Sequence, residues 1–486
     1  MTEKVRQAVV IVHGMGEQRP LETLNQFIAA ALEPDPQADR DFWSRPNNVT
    51  ESYEARLYLA PRFERDGEEV RAQTEFYEYH WAHLMQGNRV DDLWPTFRRM
   101  LLQPPTRVPS GLKAVWALFW LLIAGLGFLL WQGRFKLDPE TFEVVSLVRA
   151  LVGGGAVAVA LTYLVSRVLP GWLTTSFVDV VRYLDTSPRS YEVRRQIRKG
   201  MVDLLVRLHE AKNEDGSGSE RYQRIVIVAH SLGAFIAYDG IAYLWSHAEP
   251  LLDAPRWVTH PAGLKEVEES ASVLRTPGGG GPPRPEQIDT FQTAQRLLWA
   301  GLRDQGHPWR ITDFISLGTP MYFTDRLFTR DLAQFQARVE RGELQTCPPE
   351  AEGNPLNNVY NKRLWFSWQR GSRGALDHKA AFAVVRWTNM WFPARWGLFG
   401  DWFGERLAPL FGDGIRDIAL KGNRRLWKSR FIPGYAHALY LAFPHDNSSE
   451  SVTTKLRESL DLASTSWIRR SWRFIALVDA GDRRRA

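Results

Sequence analysis

Cysteine is all but missing: Cys347 stands alone in 486 residues. Without a second thiol the chain has no intramolecular disulfide, so a large core must hold it, as in a reducing compartment. The opening residues, Met1 to Arg6, lack the apolar stretch of a secretory signal peptide and lead directly into a strand pattern. No set of His, Cys, Asp and Glu stands at metal-ligand spacing. His80 and His83 come three apart with no further ligand beside them and read as structural or surface histidines, so neither metal nor cofactor is expected. Excess charge is also small. A formal +6 suits an anionic surface but is too weak to argue for nucleic acid.

What the chain does have is a run from Arg224 to Asp239 that reads as strand, tight turn and helix. Ile225 to Val228 are consecutive β-branched residues, the pattern of a strand covered on both faces. Ala229-His230-Ser231-Leu232-Gly233 follows, a G-x-S-x-G elbow with Ala at its first small position. Small residues are needed there because the strained turn brings backbone against the positions flanking the serine. Ser231 is expected to stand exposed above the sheet, at the N-terminus of a helix whose dipole favours a developing anion.

A second short buried strand, Ala8 to Val12, ends in His13-Gly14-Met15-Gly16. Glycines here let backbone approach a reacting carbonyl. The N–H groups of Met15 and Leu232 are the expected oxyanion donors, with His13, Gly14, Gly16, His230 and Gly233 in support. Further strand patterns cover 52–59, 73–79, 311–317, 381–388 and 415–420, and helical patterns cover 21–32, 191–210 and 288–302. The Gly- and Pro-rich stretch within 270–287 reads as a flexible loop.

The base must reach Ser231 from beyond the last strands. His437, in Ala-His-Ala-Leu-Tyr, leads, with His445 in Pro-His-Asp as the alternative. For the acid, Asp401 stands after the strand ending near Thr388, while Asp413 and Asp325 are alternatives and Asp377 precedes the strand. Strand, His-Gly, elbow, Gly318-Thr319-Pro320, late acid and late histidine come in the order Ser, Asp, His. In this the chain resembles the lipase/esterase-like branch of the α/β-hydrolases, most nearly uncharacterised bacterial membrane-anchored serine hydrolases with a Val-His-Gly-Met-Gly-Glu-Gln block. The resemblance implies an α/β fold, a mostly parallel sheet flanked by helices, and hydrolysis of a carboxylic ester through an acyl-enzyme.

Two uncharged runs, 114–131 and 150–166, interrupt that pattern. Their length predicts a transmembrane helical hairpin within 111–172, inserted between an N-terminal part (1–110) and a C-terminal part (173–486) of the hydrolase domain. Arg98, Arg99, Arg107, Lys113, Arg167 and Arg182 outnumber the positive residues of the link, which predicts a multi-pass protein of a bacterial inner membrane with both flanking parts cytoplasmic. An aromatic segment, Trp391 to Phe403, is then available to dip into acyl chains, favouring a lipid or long acyl ester as substrate. The competing readings are a generic esterase or thioesterase and a non-catalytic, membrane-tethered scaffold. Oligomeric state is not legible.

Overall fold

The computed structural model describes residues 5–14, 21–32, 40–46, 56–85, 188–214, 218–247, 260–275, 282–327, 331–350, 367–370, 373–394, 400–421, 435–441 and 452–462, with residues 183, 216 and 329 and scattered positions between 102 and 124. Its centre is an eight-stranded sheet. The strands are β1 (Arg6–Val12), β2 (Trp43–Pro46), β3 (Arg56–Ala60), β6 (Gln73–Tyr79), β7 (Arg224–His230), β8 (Ile311–Leu317), β11 (Arg386–Trp391) and β12 (Arg416–Ala419), in the order β12-β11-β8-β7-β1-β6-β3-β2. From β12 to β6 all pairings are parallel, while β3 pairs antiparallel with β6 and with β2. Two antiparallel ribbons, β4 (Phe63–Arg65) with β5 (Glu68–Arg71) and β9 (Ser367–Arg370) with β10 (Arg373–Leu376), lie outside it. Every residue of β2 is exposed, and Arg45 and Pro46 make this edge a poor template for further pairing.

Consecutive apolar residues build the central strands because both faces are covered. On β1, Ala8, Val10 and Val12 face one cluster and Val9 and Ile11 the other; on β7, Ile225, Ile227 and Ala229 oppose Val226 and Val228. The first face is covered by helices α2 (Pro188–Glu210), α3 (Gly233–His247), α4 (Leu264–Arg275) and α5 (Pro285–Asp304). The second is covered by α1 (Glu22–Ala31) and α7 (Val452–Leu460), with α6 (Leu332–Glu340) elsewhere on the first. The stripe read from periodicity in α2, Ile197, Met201, Leu204, Leu205 and Leu208, is buried throughout. Each such side chain contributes about 1.5–3 kcal/mol by leaving water.

From β1 the chain goes to the far edge at β2, comes back inward through β3 and β6 on that side, and then lays β7 on the other side of β1. The carboxyl ends of β1 and β7 therefore flank a switch in strand order, where open α/β sheets form their binding crevice.

The membrane hairpin is corrected. Runs 114–131 and 150–166 lie, apart from a few scattered positions, outside the described residues. Among the described residues no helix is long and apolar enough to cross a membrane. The α/β architecture with an inserted transmembrane hairpin thus reduces to a mixed eight-stranded sheet with helices, and the multi-pass inner-membrane location is withdrawn with the hairpin. Uncharged length was read as a bilayer span because periodicity and hydropathy do not state what surrounds a helix.

Candidate active site

The carboxyl end of β7 turns sharply at Ser231, whose backbone φ is 54°. A non-glycine residue in the left-handed region carries a strain of about 1–3 kcal/mol, held only where its surroundings impose it. Here the Ser231 N–H donates to the Leu317 carbonyl at 2.9 Å, and α3 begins at once, with Ala234 N–H donating to the Ser231 carbonyl at 3.1 Å. Among the described residues the Leu232 N–H has no acceptor, as befits a donor in the first turn of a helix.

Ser231 is fully buried, which corrects the expectation that it stands exposed. Its Oγ lies 2.9 Å from His437 Nε2. On the other side of that ring Nδ1 lies 2.9 Å from Asp401 Oδ1. A carboxylate only accepts, so Nδ1 carries the proton and Nε2 is left to accept from the serine hydroxyl. Asp401 is also fully buried; its Oδ1 accepts a second bond from the Phe403 N–H at 2.8 Å, and its Oδ2 accepts from the Tyr440 hydroxyl at 2.6 Å.

His437 comes from a short 3-10 turn, Tyr435–Leu439, and Asp401 from the segment after β11, where its N–H donates to the Phe392 carbonyl at 3.1 Å. Tyr440 follows directly on that turn, its ring centroid 6.4 Å from that of His437. Gly318, at the end of β8, has φ 53°, and a Cβ there would come within 2.6 Å of Asp401 Oδ2. Glycine is required at that point for both reasons.

The two supporting histidines are both neutral. Burial, and then the neighbouring His437 ring, push His230 from its ordinary 6.5 down to about 3. Its Nε2–H donates to the His437 carbonyl at 3.0 Å, so the residue before the serine holds the backbone of His437. Burial likewise lowers His13 to about 3. Its Nε2 accepts from the Trp81 N–H at 3.3 Å, Nδ1–H donates to the Gly14 carbonyl at 2.7 Å, and its own carbonyl accepts from Trp81 Nε1 at 3.0 Å. These bonds tie the start of the His13-Gly14 loop to Trp81, beyond the end of β6. A Cβ on Gly14 would lie 2.6 Å from His230 Nδ1 and 3.0 Å from Ser231 Cβ, an approach only glycine permits.

The structure therefore brings Ser231, His437, Asp401, His230, His13 and Gly14 together, with Gly233 opening α3. Met15, Gly16 and His445 lie outside the described residues. Asp325 is in the helical turn Thr324–Leu327, with Arg326 Nε at 3.5 Å; burial raises its carboxyl above the usual range. Asp413 sits in the turn between Gly412 and Gly414, where the Gly414 N–H donates to the Cys347 carbonyl at 2.8 Å. His437 Nδ1 is directed at Asp401 instead.

The aromatic segment is also corrected. Trp391, Phe392, Trp402 and Phe403 are buried, and the Phe403 ring packs on His437 at 4.9 Å between centroids. They close the core around His437 and are not free to enter acyl chains, while Trp396 and Phe399 lie outside the described residues. Roles for Tyr440 and Trp81 escaped the sequence reading, and Gly318 entered it only as part of the Gly318-Thr319-Pro320 turn. Only the spacing of Tyr440 from His437 could have signalled one of them. No protein-family model, no curated protein and no solved structure matches this chain.

Proposed function

We propose that this chain is a serine hydrolase of the α/β-hydrolase type that cleaves carboxylic esters through an acyl-enzyme. The observation that carries the reading is the hydrogen-bonded series Ser231 Oγ, His437 ring, Asp401 carboxylate, built on a serine with strained backbone. A protein using this fold only as a scaffold has no use for that strain or for a histidine nitrogen 2.9 Å from a buried serine hydroxyl.

In the proposed reaction His437 Nε2 takes the hydroxyl proton as Ser231 Oγ attacks the ester carbonyl. The tetrahedral oxyanion is met by the Leu232 N–H, and the bond to the leaving alkoxide breaks as His437 returns the proton to it. Water then repeats the sequence on the acyl-enzyme, releasing the acid and restoring Ser231. Asp401 holds the tautomer and offsets the imidazolium charge; it does not take the proton. His230 and His13, both neutral, add no competing charge beside the imidazolium.

The substrate is proposed as an acyl ester or thioester, without preference for a lipid, because among the described residues neither a membrane span nor a free aromatic side chain of the Trp391 to Phe403 segment supports one. A fluorophosphonate probe on the purified chain, with Ser231→Ala alongside, tests the assignment. Labelling of the native chain alone is expected, and equal labelling of both would falsify it. A series of p-nitrophenyl esters of increasing acyl length then ranks the substrates.

A further inference from the structure

The polar series at the site does not end at the acid. Asp401 Oδ1 is shared between His437 and the Phe403 N–H, while the partner of Oδ2 is the hydroxyl of Tyr440. That hydroxyl is oriented in turn, accepting from the Phe392 N–H at 3.0 Å, so its proton has one place to go, the carboxylate. The Tyr440 ring is fully buried, lying 4.9 Å from the Phe392 ring and 5.5 Å from the His230 ring. The Asp401–Tyr440 pair is seated against Gly318, where any larger residue would strike both.

We propose that Tyr440 is a positioning residue of this site, setting the orientation and the charge of Asp401 and, through it, the proton affinity of His437. The proposal rests on the serine-hydrolase reading. Two physical effects support it. A fully buried carboxylate oxygen without a donor is costly, so the Tyr440 hydroxyl decides which way the carboxylate plane lies and keeps Oδ1 facing His437. A hydrogen bond donated to the carboxylate also draws off part of its negative charge, weakening its pull on the imidazolium. Tyr440 remains a donor throughout, since burial and then the Asp401 charge hold its hydroxyl well above its ordinary value. The other titratable groups facing the pair are His230, neutral, and Tyr322, whose hydroxyl donates to the Trp402 carbonyl at 2.8 Å with Glu405 beyond it. None of them replaces the bond to Oδ2.

The test is the rate of fluorophosphonate labelling against pH for the native chain, Tyr440→Phe and Ser231→Ala. The acid limb of that profile reports the base in the free enzyme. Tyr440→Phe keeps the ring and removes one oxygen. It is expected to slow labelling about 10- to 100-fold, the fold-change that corresponds to one hydrogen bond to a charged group. It should also move the acid-limb midpoint up by roughly 0.5–1 pH unit, because the less neutralised Asp401 favours the imidazolium. A slower rate with an unmoved midpoint makes Tyr440 a packing residue only and overturns the proposal, as does no change in either. Should Tyr440→Phe fail to fold, 3-fluorotyrosine placed at position 440 takes its place. It keeps the shape and donates more strongly, so the midpoint is expected to move down, and an unmoved midpoint overturns the proposal. Failure of the underlying reading is seen separately, as native chain labelling no faster than Ser231→Ala.

Discussion

Strand β7 buries polar groups at both ends, to opposite purpose. At its amino end every nitrogen of the Arg224 guanidinium is occupied: Nε by Thr312 at 2.9 Å, and the two terminal nitrogens by Gln7 at 3.2 Å, Asp313 at 2.6 Å and the carbonyls of Leu460 and Asp461, each at 3.0 Å. Arg386 closes on the other oxygen of Asp313. This is a cage, and it ties the end of α7 to the sheet. At the carboxyl end the polar groups form a line that finishes on the hydroxyl of Ser231, itself in strained backbone. A saturated cage lowers the energy of one state, whereas an open line leaves a proton somewhere to move. The two ends are therefore expected to separate stability from activity.

Substitutions ordered by expected effect test that separation. Ser231→Ala and His437→Ala should each lower ester hydrolysis about a millionfold, since serine and base act as a unit, with little change in melting temperature. Asp401→Asn should lower it about ten-thousandfold by offering the wrong partner to Nδ1, whereas Asp325→Asn and Asp413→Asn should stay within a few-fold of native in the same assay. At the other end, Arg224→Met should leave turnover per folded molecule unchanged but cost about 3–5 kcal/mol in urea unfolding, because a buried ion pair is broken and Asp313 Oδ2 loses its guanidinium while Arg386 still holds Oδ1. Hydrolysis lost in step with stability by Arg224→Met would erase the distinction between the ends.

Acid sharpens the comparison further. His13 and His230 have folded values of about 3 against an ordinary 6.5, so the unfolded chain binds more protons between those values. Their contribution to stability is complete above about pH 6.5 and is lost as pH falls toward 3. Burial works to raise Asp313, but the guanidiniums of Arg386, Arg224 and Arg296 overcome it and hold the carboxyl below its ordinary 3.8. Its contribution is present above pH 3.8 and is lost only below that. Urea midpoints measured from pH 7 to 3 should thus fall first through the histidines, and His230→Asn should flatten the upper part of that fall. The smallest change in stability is that of Ser231→Gly, expected to raise it by about 1 kcal/mol through release of the left-handed strain, with hydrolysis lost as in Ser231→Ala.

How much of this was legible depended on how local each signal is. The strands Ala8 to Val12 and Ile225 to Val228 and the apolar stripe of α2 are written in period and composition, and the elbow is written in five consecutive residues. Boundaries shifted where packing decided: the strand read at 381–388 is a 3-10 turn, Ala381–Ala383, followed by β11 at Arg386–Trp391. Helices α4, α6 and α7 went unread, as did the edge strand β2. The hairpin failed for the converse reason, since an uncharged run does not say what solvent it meets.

By itself the sequence determined the serine, its small neighbours and the chain order of Ser231, Asp401 and His437, because these depend on residue type and short spacing. Which of Asp401, Asp413 and Asp325 meets the histidine was decided only in three dimensions, by the Phe403 N–H and the Tyr440 hydroxyl converging on one buried carboxylate. The burial of Ser231 and of the aromatic segment belongs to the tertiary structure too. Spacing along a chain sets what a segment is able to offer, but a carboxylate buried from water is held where donors from distant segments meet it.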